Sequence, residues 1–284
     1  MTTLPMPGYP KIETLYQRDA DFKVTSVLRQ LALEWINGWL ATEKIDGTNI
    51  RLDFRLTDGD GCFIAPQDRP EDYTEANVRM AVNIGGRTAK AQLPGDLLAI
   101  LRGLAEAASP SAFEILSEFG IVSLTVYGEG YGAGIQKDGA LYRPDGGKGF
   151  VAFDVLVNDR TWLGEESITE TAIRLGLERV PFYHLSGAAA FMPMEGHPFG
   201  LAYGDLGEWT DLVSSGTLRS LLNGGQRQAE GIVLRTLEPL FDARGHRLVA
   251  KIKVEDFRQG GIYATFGADG QREALRTYDG RLDI

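Results

Sequence analysis

Short runs in which apolar and polar residues alternate, separated by glycine-rich turns, dominate the chain. Alternation with a period of two is typical of half-buried strands, and clustered glycines mark turns, so the pattern predicts a strand-rich protein. The predicted strands are Gly38–Lys44, Thr48–Leu56, Val122–Glu129, Phe150–Asn158, Gly231–Thr236 and Arg247–Val254. The first two flank an Asp-Gly pair, and we expect them to form a hairpin.

Helical periodicity is confined to fewer segments. Pro94–Ala107 carries leucines at helical spacing, and Ser109–Phe119 opens with a serine followed by Pro110, a typical helix start. Glu166–Leu177 is predicted to be helical, and Leu206–Leu222 is predicted to hold one or two shorter helices. Strands and helices do not alternate regularly, so we expect an α+β fold with antiparallel sheets and flanking helices.

The composition narrows the class of protein. Of the 284 residues, 43% are hydrophobic and 24% are charged, which allows a sizeable core and excludes disorder of the bulk. The net charge of −10 argues by itself against a nucleic-acid partner. The one cysteine, Cys62, excludes an internal disulfide and a cysteine-built zinc site. The start lacks the pattern of a secretory signal and no run reaches about 18 apolar residues, so we expect a cytoplasmic protein with no membrane segment.

Three motifs before residue 160 contain side chains that could take part in binding or catalysis. Lys44 ends a predicted strand just before an Asp-Gly pair, where a surface lysine in a hairpin is the simpler interpretation. Glu129 lies at a strand end among alternating glycines whose spacing differs from that of dinucleotide-binding loops. Phe153 lies in an apolar strand, where a core position is the simpler interpretation.

Two further motifs lie near the end of the chain. Glu230 enters and Arg235 leaves a predicted strand, and strict alternation would put them on opposite faces. If both serve one site, Glu230 must therefore lie outside the regular pleat. Lys251 and Lys253 share one face of the last predicted strand, where like charges repel unless an anion lies between them. In a chain with eight lysines this pair indicates an oxyanion or phosphate site, with a solvated edge strand as the alternative.

The order of these motifs is more specific than any one of them. A lysine with Asp-Gly, a strand-end Glu, Phe-Asp, Glu-Gly-x-Val-x-Arg and Lys-x-Lys together resemble, in order and spacing, the covalent nucleotidyltransferase superfamily of ligases and mRNA capping enzymes. The runs EKIDGTN at 43–49, GEGYGAGIQK at 128–137 and KIK at 251–253 are similar to the second class of phage RNA ligases and their trypanosome RNA-editing relatives. The resemblance spans about Tyr9 to Phe257.

The resemblance implies a nucleotidyltransferase (adenylation) domain of the ATP-grasp-like ligase type that acts as an ATP-dependent RNA ligase. Such an enzyme attaches AMP to a lysine with release of pyrophosphate, transfers the AMP to an RNA 5′-phosphate, and seals that end to a 3′-hydroxyl. It also implies a divalent ion, Mg²⁺ or Mn²⁺, on the phosphates. A lysine is nucleophilic only when neutral, and since its reference pKa is about 10.4, such a site needs cationic neighbours, a metal ion or burial.

By resemblance, Lys44 is the nucleophile, and Lys251 and Lys253 are the catalytic cations that contact the phosphates. The other implied members of the nucleotide site are Glu43 on the adenine side, Asn49 on the polynucleotide phosphate, Arg87 on AMP or the 5′-phosphate, Glu129 on the ribose or through water on a metal, Phe153 stacked on adenine, Glu230 as the main metal carboxylate, and Arg235 at the end of its strand. Three of eight lysines then meet at one phosphate pocket. Local focusing of positive potential can attract RNA even when the whole molecule is acidic.

The chain departs from the family pattern in three places. Arg235 stands where the family commonly has lysine, about twenty residues around Asp58–Met80 precede Arg87, and the chain ends soon after Lys253. We therefore expect residues 1–257 to form the catalytic domain and 258–284 a short tail, with no separate OB or helical domain. A partner protein could then supply further surface for RNA with 5′-phosphate and 3′-hydroxyl ends.

Two other classes of function stay open. Within the same superfamily, the chain could be a small ATP-dependent DNA ligase or a capping-type guanylyltransferase. Outside it, the same fold could serve as a catalytically silent nucleotide- or RNA-binding module, which would form no covalent adduct with a nucleotide.

Overall fold

The structure is a computed structural model that describes residues 6–68, 78–88, 90–143, 145–185, 189–190, 203–222, 224 and 227–257. The described strands are β1 Glu13–Thr14, β2 Tyr16–Arg18, β3 Val24–Leu28, β4 Leu40–Lys44, β5 Thr48–Thr57, β6 Arg79–Gly86, β7 Ser123–Gly132, β8 Lys148–Val157, β9 Thr161–Trp162, β10 Phe182–Tyr183, β11 Ala189–Ala190, β12 Gly231–Arg235 and β13 Ala250–Lys253. The α-helices are α1 Gly95–Glu118, α2 Glu165–Arg174 and α3 Leu206–Ser214.

The described residues cluster into two compact units. Unit 1 is drawn from Met1–Pro10 and Asp46–Val180, and unit 2 from Lys11–Ile45 and Pro181–Ile284. The α+β fold with antiparallel sheets and flanking helices is confirmed. The expectation of one catalytic domain over 1–257 stays a prediction, and the tail 258–284 lies outside the described residues. None of the helices in the described part of the chain combines the length and apolar character that crossing a bilayer requires.

Unit 1 is built on an antiparallel five-stranded sheet with the order β6-β5-β7-β8-β9. Alternate residues of β5 point into one hydrophobic core, which they share with helix α1 and with β7 and β8. The core residues of β5 are Ile50, Leu52, Phe54 and Leu56. The intervening residues, Arg51, Asp53 and Arg55, are also buried and form the polar second face of the sheet.

Helix α1 corrects the prediction of two helices separated near Ser109. The helix runs unbroken from Gly95 to Glu118 with Pro110 inside it. A proline in a helix interior costs about 3 kcal/mol because it lacks an N–H and crowds the preceding turn. The apolar stripe continues on both sides of the proline, since Ala105, Ala108 and Ala112 are all buried in the core, and this packing outweighs the break. Ser109 is not a cap, because its Oγ donates to the Ala105 carbonyl at 2.7 Å.

Unit 2 is built on a six-stranded sheet with the order β1-β13-β12-β4-β10-β11, in which only β1 and β13 pair in parallel among the described strands. Ile232 and Leu234 of β12 and Ile252 of β13 point into a core that they share with helix α3 and with Trp39. Their neighbours along each strand therefore point to the opposite face. The small β2–β3 pair packs on the same core.

The predicted hairpin between Gly38–Lys44 and Thr48–Leu56 is wrong. Strand β4 pairs with β12 and β10 in unit 2, whereas β5 pairs with β6 and β7 in unit 1. The Asp-Gly pair that connects the two strands is thus a crossing from one sheet to another. Local turn chemistry predicted a turn correctly, but the partners of both strands lie far away in sequence.

A pair of glycine substitutions tests the packing of unit 1. A Cβ on Gly128 of β7 would lie 2.3 Å from the Phe150 ring and 2.4 Å from the Val151 carbonyl oxygen, whereas a Cβ on Gly103 of α1 would meet nothing within 4 Å. We expect Gly128→Ala to lower the free energy of unfolding by about 1–3 kcal/mol. Gly103→Ala should raise it by about 0.5–1 kcal/mol through helix propensity. Denaturant unfolding measures both, and equal effects of the two changes would contradict this packing.

Candidate active site

Lys44 and Lys253 lie on one face of the unit 2 sheet, in a single row across three strands. Gly231 of β12 pairs with Lys44 of β4 on one side and with Lys253 of β13 on the other. The residue between the two lysines in this row therefore has no side chain. A Cβ at Gly231 would lie 2.1 Å from the Ile252 carbonyl oxygen, so the strands also approach too closely for any other residue.

Glu230 joins the two lysines of this row. Its Oε2 lies 2.6 Å from Lys44 Nζ, and its Oε1 lies 3.4 Å from Lys253 Nζ. Regular alternation would direct the side chain of Glu230 to the core face, but the residue precedes β12 and its carboxylate reaches the lysine face. The sequence-based condition that Glu230 leaves the pleat is therefore met. Arg235, at the other end of β12, is buried on the lysine face, opposite Leu40.

Lys251 belongs to the next row of the same face, where Val233 separates it from Thr42. Burial, and then the ammonium groups of Lys44 and Lys253, hold the pKa of Lys251 below its ordinary value. Lys253 differs, because burial is outweighed by hydrogen bonding to Glu255, at 2.9 Å, and by Glu230, so its pKa is raised. The three lysines of the predicted phosphate pocket thus share one face, and the pKa shifts of Lys251 and Lys253 have opposite directions.

Glu43 lies on the opposite face of the sheet from Lys44, as alternation requires of neighbours in a strand. Its carboxylate accepts hydrogen bonds from the backbone N–H groups of Leu221, at 2.8 Å, and Leu222, at 3.1 Å. The side chain is 2% exposed, and burial raises its pKa although Ser220 and these N–H groups oppose the shift. The structure therefore places Glu43 as an anchor for the 220–222 segment and not beside Lys44.

Unit 1 brings together Asn49, Glu129 and Arg87 at one end of its sheet. Asn49 of β5 pairs directly with Glu129 of β7, and both are partly buried. Arg87 directly follows the pair formed by Gly86 and Ile50, and its side chain is exposed. Asn49 Oδ1 is shut off from solvent and accepts no hydrogen bond from the described residues. A buried amide oxygen without a donor is costly, which is consistent with a partner from a substrate.

Phe153 occupies a bulge in strand β8. Tyr127 pairs with Asp154 and Gly128 pairs with Ala152, so Phe153 is the extra residue between two ladder positions. Bulges re-aim a side chain and are frequent next to active sites. Phe153 is partly buried and its ring lies 5.0 Å from that of Tyr9, at an interplanar angle of 71°.

Two residues that fix the Asp-Gly crossing were missed by sequence reasoning. The backbone N–H of Asp46 donates to the Tyr142 hydroxyl at 2.9 Å, and Gln136 Nε2 donates to the Gly47 carbonyl at 2.9 Å. Gly47 itself tolerates no side chain, since a Cβ would lie 2.4 Å from the Gly130 carbonyl oxygen. Gln136 belongs to the GIQK run that carried the family resemblance, so a signal for it existed, whereas Tyr142 offered none.

The arrangement within unit 2 can bind anionic oxygens and hold a lysine amine on rigid backbone. The predicted residues Lys44, Glu230, Lys251 and Lys253 are gathered there, and Asn49, Glu129 and Arg87 are gathered in unit 1. Within the described ranges, no group of three or more His, Cys, Asp and Glu side chains is arranged to hold a metal ion. A Mg²⁺ ion takes one or two carboxylates and completes its shell with water and substrate phosphates, and the single carboxylate of Glu230 fits that mode.

Comparison with known proteins identifies the family. A family model described as RNA ligase matches residues 37–253, well over half of the chain, and the chain therefore belongs to the RNA ligase family. The expectation of an RNA ligase is thus confirmed, and membership of the second phage class with its trypanosome relatives stays a prediction. No match was found among curated proteins.

Several solved structures of RNA ligases are similar to this chain at low sequence identity. An apo mutant of Naegleria gruberi RNA ligase is 15% identical, with 91% of this chain and 60% of that chain covered and a TM-score of 0.50. An archaeal ATP-dependent RNA ligase is 15% identical, with 97% and 59% covered and a TM-score of 0.49. Another Naegleria gruberi RNA ligase mutant, with ATP and Mn, is 15% identical, with 89% and 59% covered and a TM-score of 0.48. The chain spans about three fifths of the length of these proteins.

The electrostatic coupling between Lys44 and Lys251 can be tested by titration. Lys44→Met removes one of the ammonium groups that disfavour the charged form of Lys251, so we expect the pKa of Lys251 to rise. NMR titration of protein with ¹³C-methylated lysines measures it. As a control, replacement of the exposed Lys23 in Lys23→Met should leave the pKa of Lys251 unchanged. An unchanged pKa of Lys251 in Lys44→Met would show that the Lys44 ammonium group does not affect Lys251.

Proposed function

We propose that the chain is the adenylating part of an ATP-dependent RNA ligase in which Lys44 is the nucleophile. The observation that carries this proposal is the row Lys44, Gly231 and Lys253, with Glu230 on both amines, at the position where the family motif has its lysine. A lysine held on a strand among other cations suits attack on a phosphate.

The reaction assigned to Lys44 is a nucleophilic substitution at the α-phosphorus of ATP. Lys44 Nζ loses a proton and forms a P–N bond, while the bond from the α-phosphorus to the bridging oxygen breaks and pyrophosphate leaves. Phosphoryl transfer depends mainly on positioning and electrostatic stabilisation. Lys251 and Lys253 supply positive charge for the phosphate oxygens, and Glu230 orients the amine through its 2.6 Å contact.

A divalent ion, Mg²⁺ or Mn²⁺, fits the proposal as a second source of positive charge on the phosphates. From their positions in the motifs, Glu230 and Glu129 are the carboxylates that we propose as ligands of divalent ions. Lys251 and Lys253 keep their roles toward the phosphates whichever of the two ions is bound.

The remaining roles follow the motifs of the second phage class of RNA ligases and their trypanosome relatives. We assign Phe153 to stacking on adenine, Asn49 and Arg87 to the RNA 5′-phosphate, and Arg235 to structural support of β12, because it is 2% exposed. Glu43 supports the 220–222 segment from the core face. The proposed substrate is RNA with 5′-phosphate and 3′-hydroxyl ends, in the cytoplasm, with a partner protein supplying additional RNA-binding surface.

Replacement of Lys44 tests the covalent step. Incubation with labelled ATP and Mg²⁺ followed by denaturation should leave label on the wild-type protein and less than about 1% of it on Lys44→Ala, because the amine is the attacking group. The exposed Lys23→Ala should retain the label. Label on Lys44→Ala at the wild-type level would show that another group is the nucleophile.

The same assay separates the competing functions. Label retained from GTP and not from ATP would favour a capping-type enzyme, and no label from either would favour a silent binding module. Nicked duplexes whose 3′-hydroxyl strand ends in ribose or in deoxyribose distinguish an RNA ligase from a DNA ligase. We expect sealing of the ribose-ended strand.

Asn49 should separate the early step from the later ones. The buried Oδ1 of Asn49 accepts no hydrogen bond from the described residues, and we assign it to the RNA 5′-phosphate. We therefore expect Asn49→Ala to form the lysyl-AMP adduct at the wild-type level. Transfer of AMP to RNA and sealing should fall by about 100-fold, the usual cost of losing one polar group on a reacting phosphate. A gel assay of adenylylated and sealed RNA measures both steps, and equal losses in all steps would contradict a role confined to the RNA phosphate.

A further inference from the structure

Tyr9 lies at the centre of an aromatic cluster in unit 1. Its ring lies 5.0 Å from those of Tyr127 and Phe153 and 5.6 Å from that of Trp162. The contacts with Phe153 and Trp162 are edge-to-face, with interplanar angles of 71° and 89°, a favourable geometry for aromatic pairs. The Tyr9 hydroxyl donates a hydrogen bond of 2.8 Å to Asp154 Oδ2, and Asp154 is fully buried.

The backbone just before Tyr9 is hydrogen-bonded to side chains on the polar face of the sheet. Arg51 Nη1 donates to the carbonyl oxygens of Met6, at 2.7 Å, and Pro7, at 3.2 Å. The Tyr127 hydroxyl also donates to the Pro7 carbonyl, at 2.9 Å. Residues 6–9 therefore form a strap on the sheet, held by the hydrogen bonds of Met6, Pro7 and the Tyr9 hydroxyl.

The bulge makes Phe153 dependent on such contacts. Its neighbours Ala152 and Asp154 are aligned by the ladder with β7, but Phe153 has no ladder partner of its own. The direction of its ring is thus set by the residues that pack against it. Tyr9 contacts both Phe153 and the residue after it. Its ring packs against Phe153, and its hydroxyl donates a hydrogen bond to the carboxylate of Asp154.

We propose that Tyr9 is a positioning residue for ATP, which holds the Phe153 ring in the orientation that stacks on adenine. This inference rests on the proposed function of Phe153. Tyr9 itself touches no reacting atom in this account. Its effect is on the binding of the base, and the rate of attack by the lysine at saturating ATP does not depend on it.

The test is a double-mutant cycle on the KM for ATP in adduct formation. We expect Phe153→Leu to raise KM by about tenfold or more, in line with the usual worth of one stacked base. Tyr9→Leu should raise KM by about three- to tenfold and Tyr9→Phe by about threefold, with maximal rates within about threefold of wild type. Because Tyr9 acts through Phe153, the double variant Tyr9→Leu with Phe153→Leu should match Phe153→Leu within about twofold.

Tyr16→Phe is the matched control. Tyr16 is also a buried tyrosine whose hydroxyl is hydrogen-bonded, to Thr210 Oγ1 at 2.8 Å, but it belongs to unit 2. It should keep the wild-type KM. A rise of KM in Tyr16→Phe equal to that in Tyr9→Phe would overturn the proposal, because the effect would then be one of general stability.

These KM values test the role of Tyr9 separately from the role of Phe153. Wild-type KM in both Tyr9 variants, or multiplicative effects in the double variant, would overturn the role of Tyr9 while the raised KM of Phe153→Leu supports stacking. Wild-type KM in Phe153→Leu would instead contradict the proposed function of Phe153, and with it this inference. If Tyr9→Leu does not fold, the cycle of Tyr9→Phe with Phe153→Leu decides by the same criterion.

Discussion

Three ammonium groups, those of Lys44, Lys251 and Lys253, are held on one face of the unit 2 sheet, and the site depends on how this repulsion is balanced. The strands cannot separate to relieve it, because β12 is paired on both sides and Gly231 lies in close contact with the backbone of β13. The Glu230 carboxylate contacts Lys44 and Lys253 and neutralises part of the charge. Burial, and then the ammonium groups of Lys44 and Lys253, still hold the pKa of Lys251 below its ordinary value. Such an arrangement favours the binding of anionic oxygens, and this is the basis for proposing a phosphate site here.

Because side chains alternate along the strands of unit 2, the residues of one face pack in the core and those of the other face form the candidate site. The Glu43–Lys44 pair is the clearest case, since one carboxylate is committed to backbone N–H groups on the core face while the next residue faces the other way. In unit 1 the same division leaves Asn49 beside Glu129 at the end of the sheet. The chain passes from one unit to the other between Ile45 and Asp46, so the EKIDGTN run contributes its lysine to one sheet and its asparagine to the other.

Sequence alone predicted the α+β class, six of the thirteen described strands and the grouping of the lysines. The grouping was predictable because a motif order shared with a family carries long-range information that local propensity lacks. The hairpin failed because an Asp-Gly pair specifies a turn but not the partners of the strands beside it. The helix break at Pro110 failed because burial of Ala105, Ala108 and Ala112 outweighed a local preference. Nothing in the sequence near Tyr9 indicated its contacts, which depend on a bulge 144 residues away.

The central claim is that Lys44, and neither of the lysines that share its face, carries the nucleotide. Tandem mass spectrometry of peptides from protein treated with ATP and Mg²⁺ tests this claim most directly, because Lys44 falls in a different peptide from Lys251 and Lys253 and fragmentation assigns the modified side chain. We expect one AMP per chain, attached to the peptide that contains Lys44 and localised to that side chain. AMP on Lys251 or Lys253, or no adduct at all, would contradict the account.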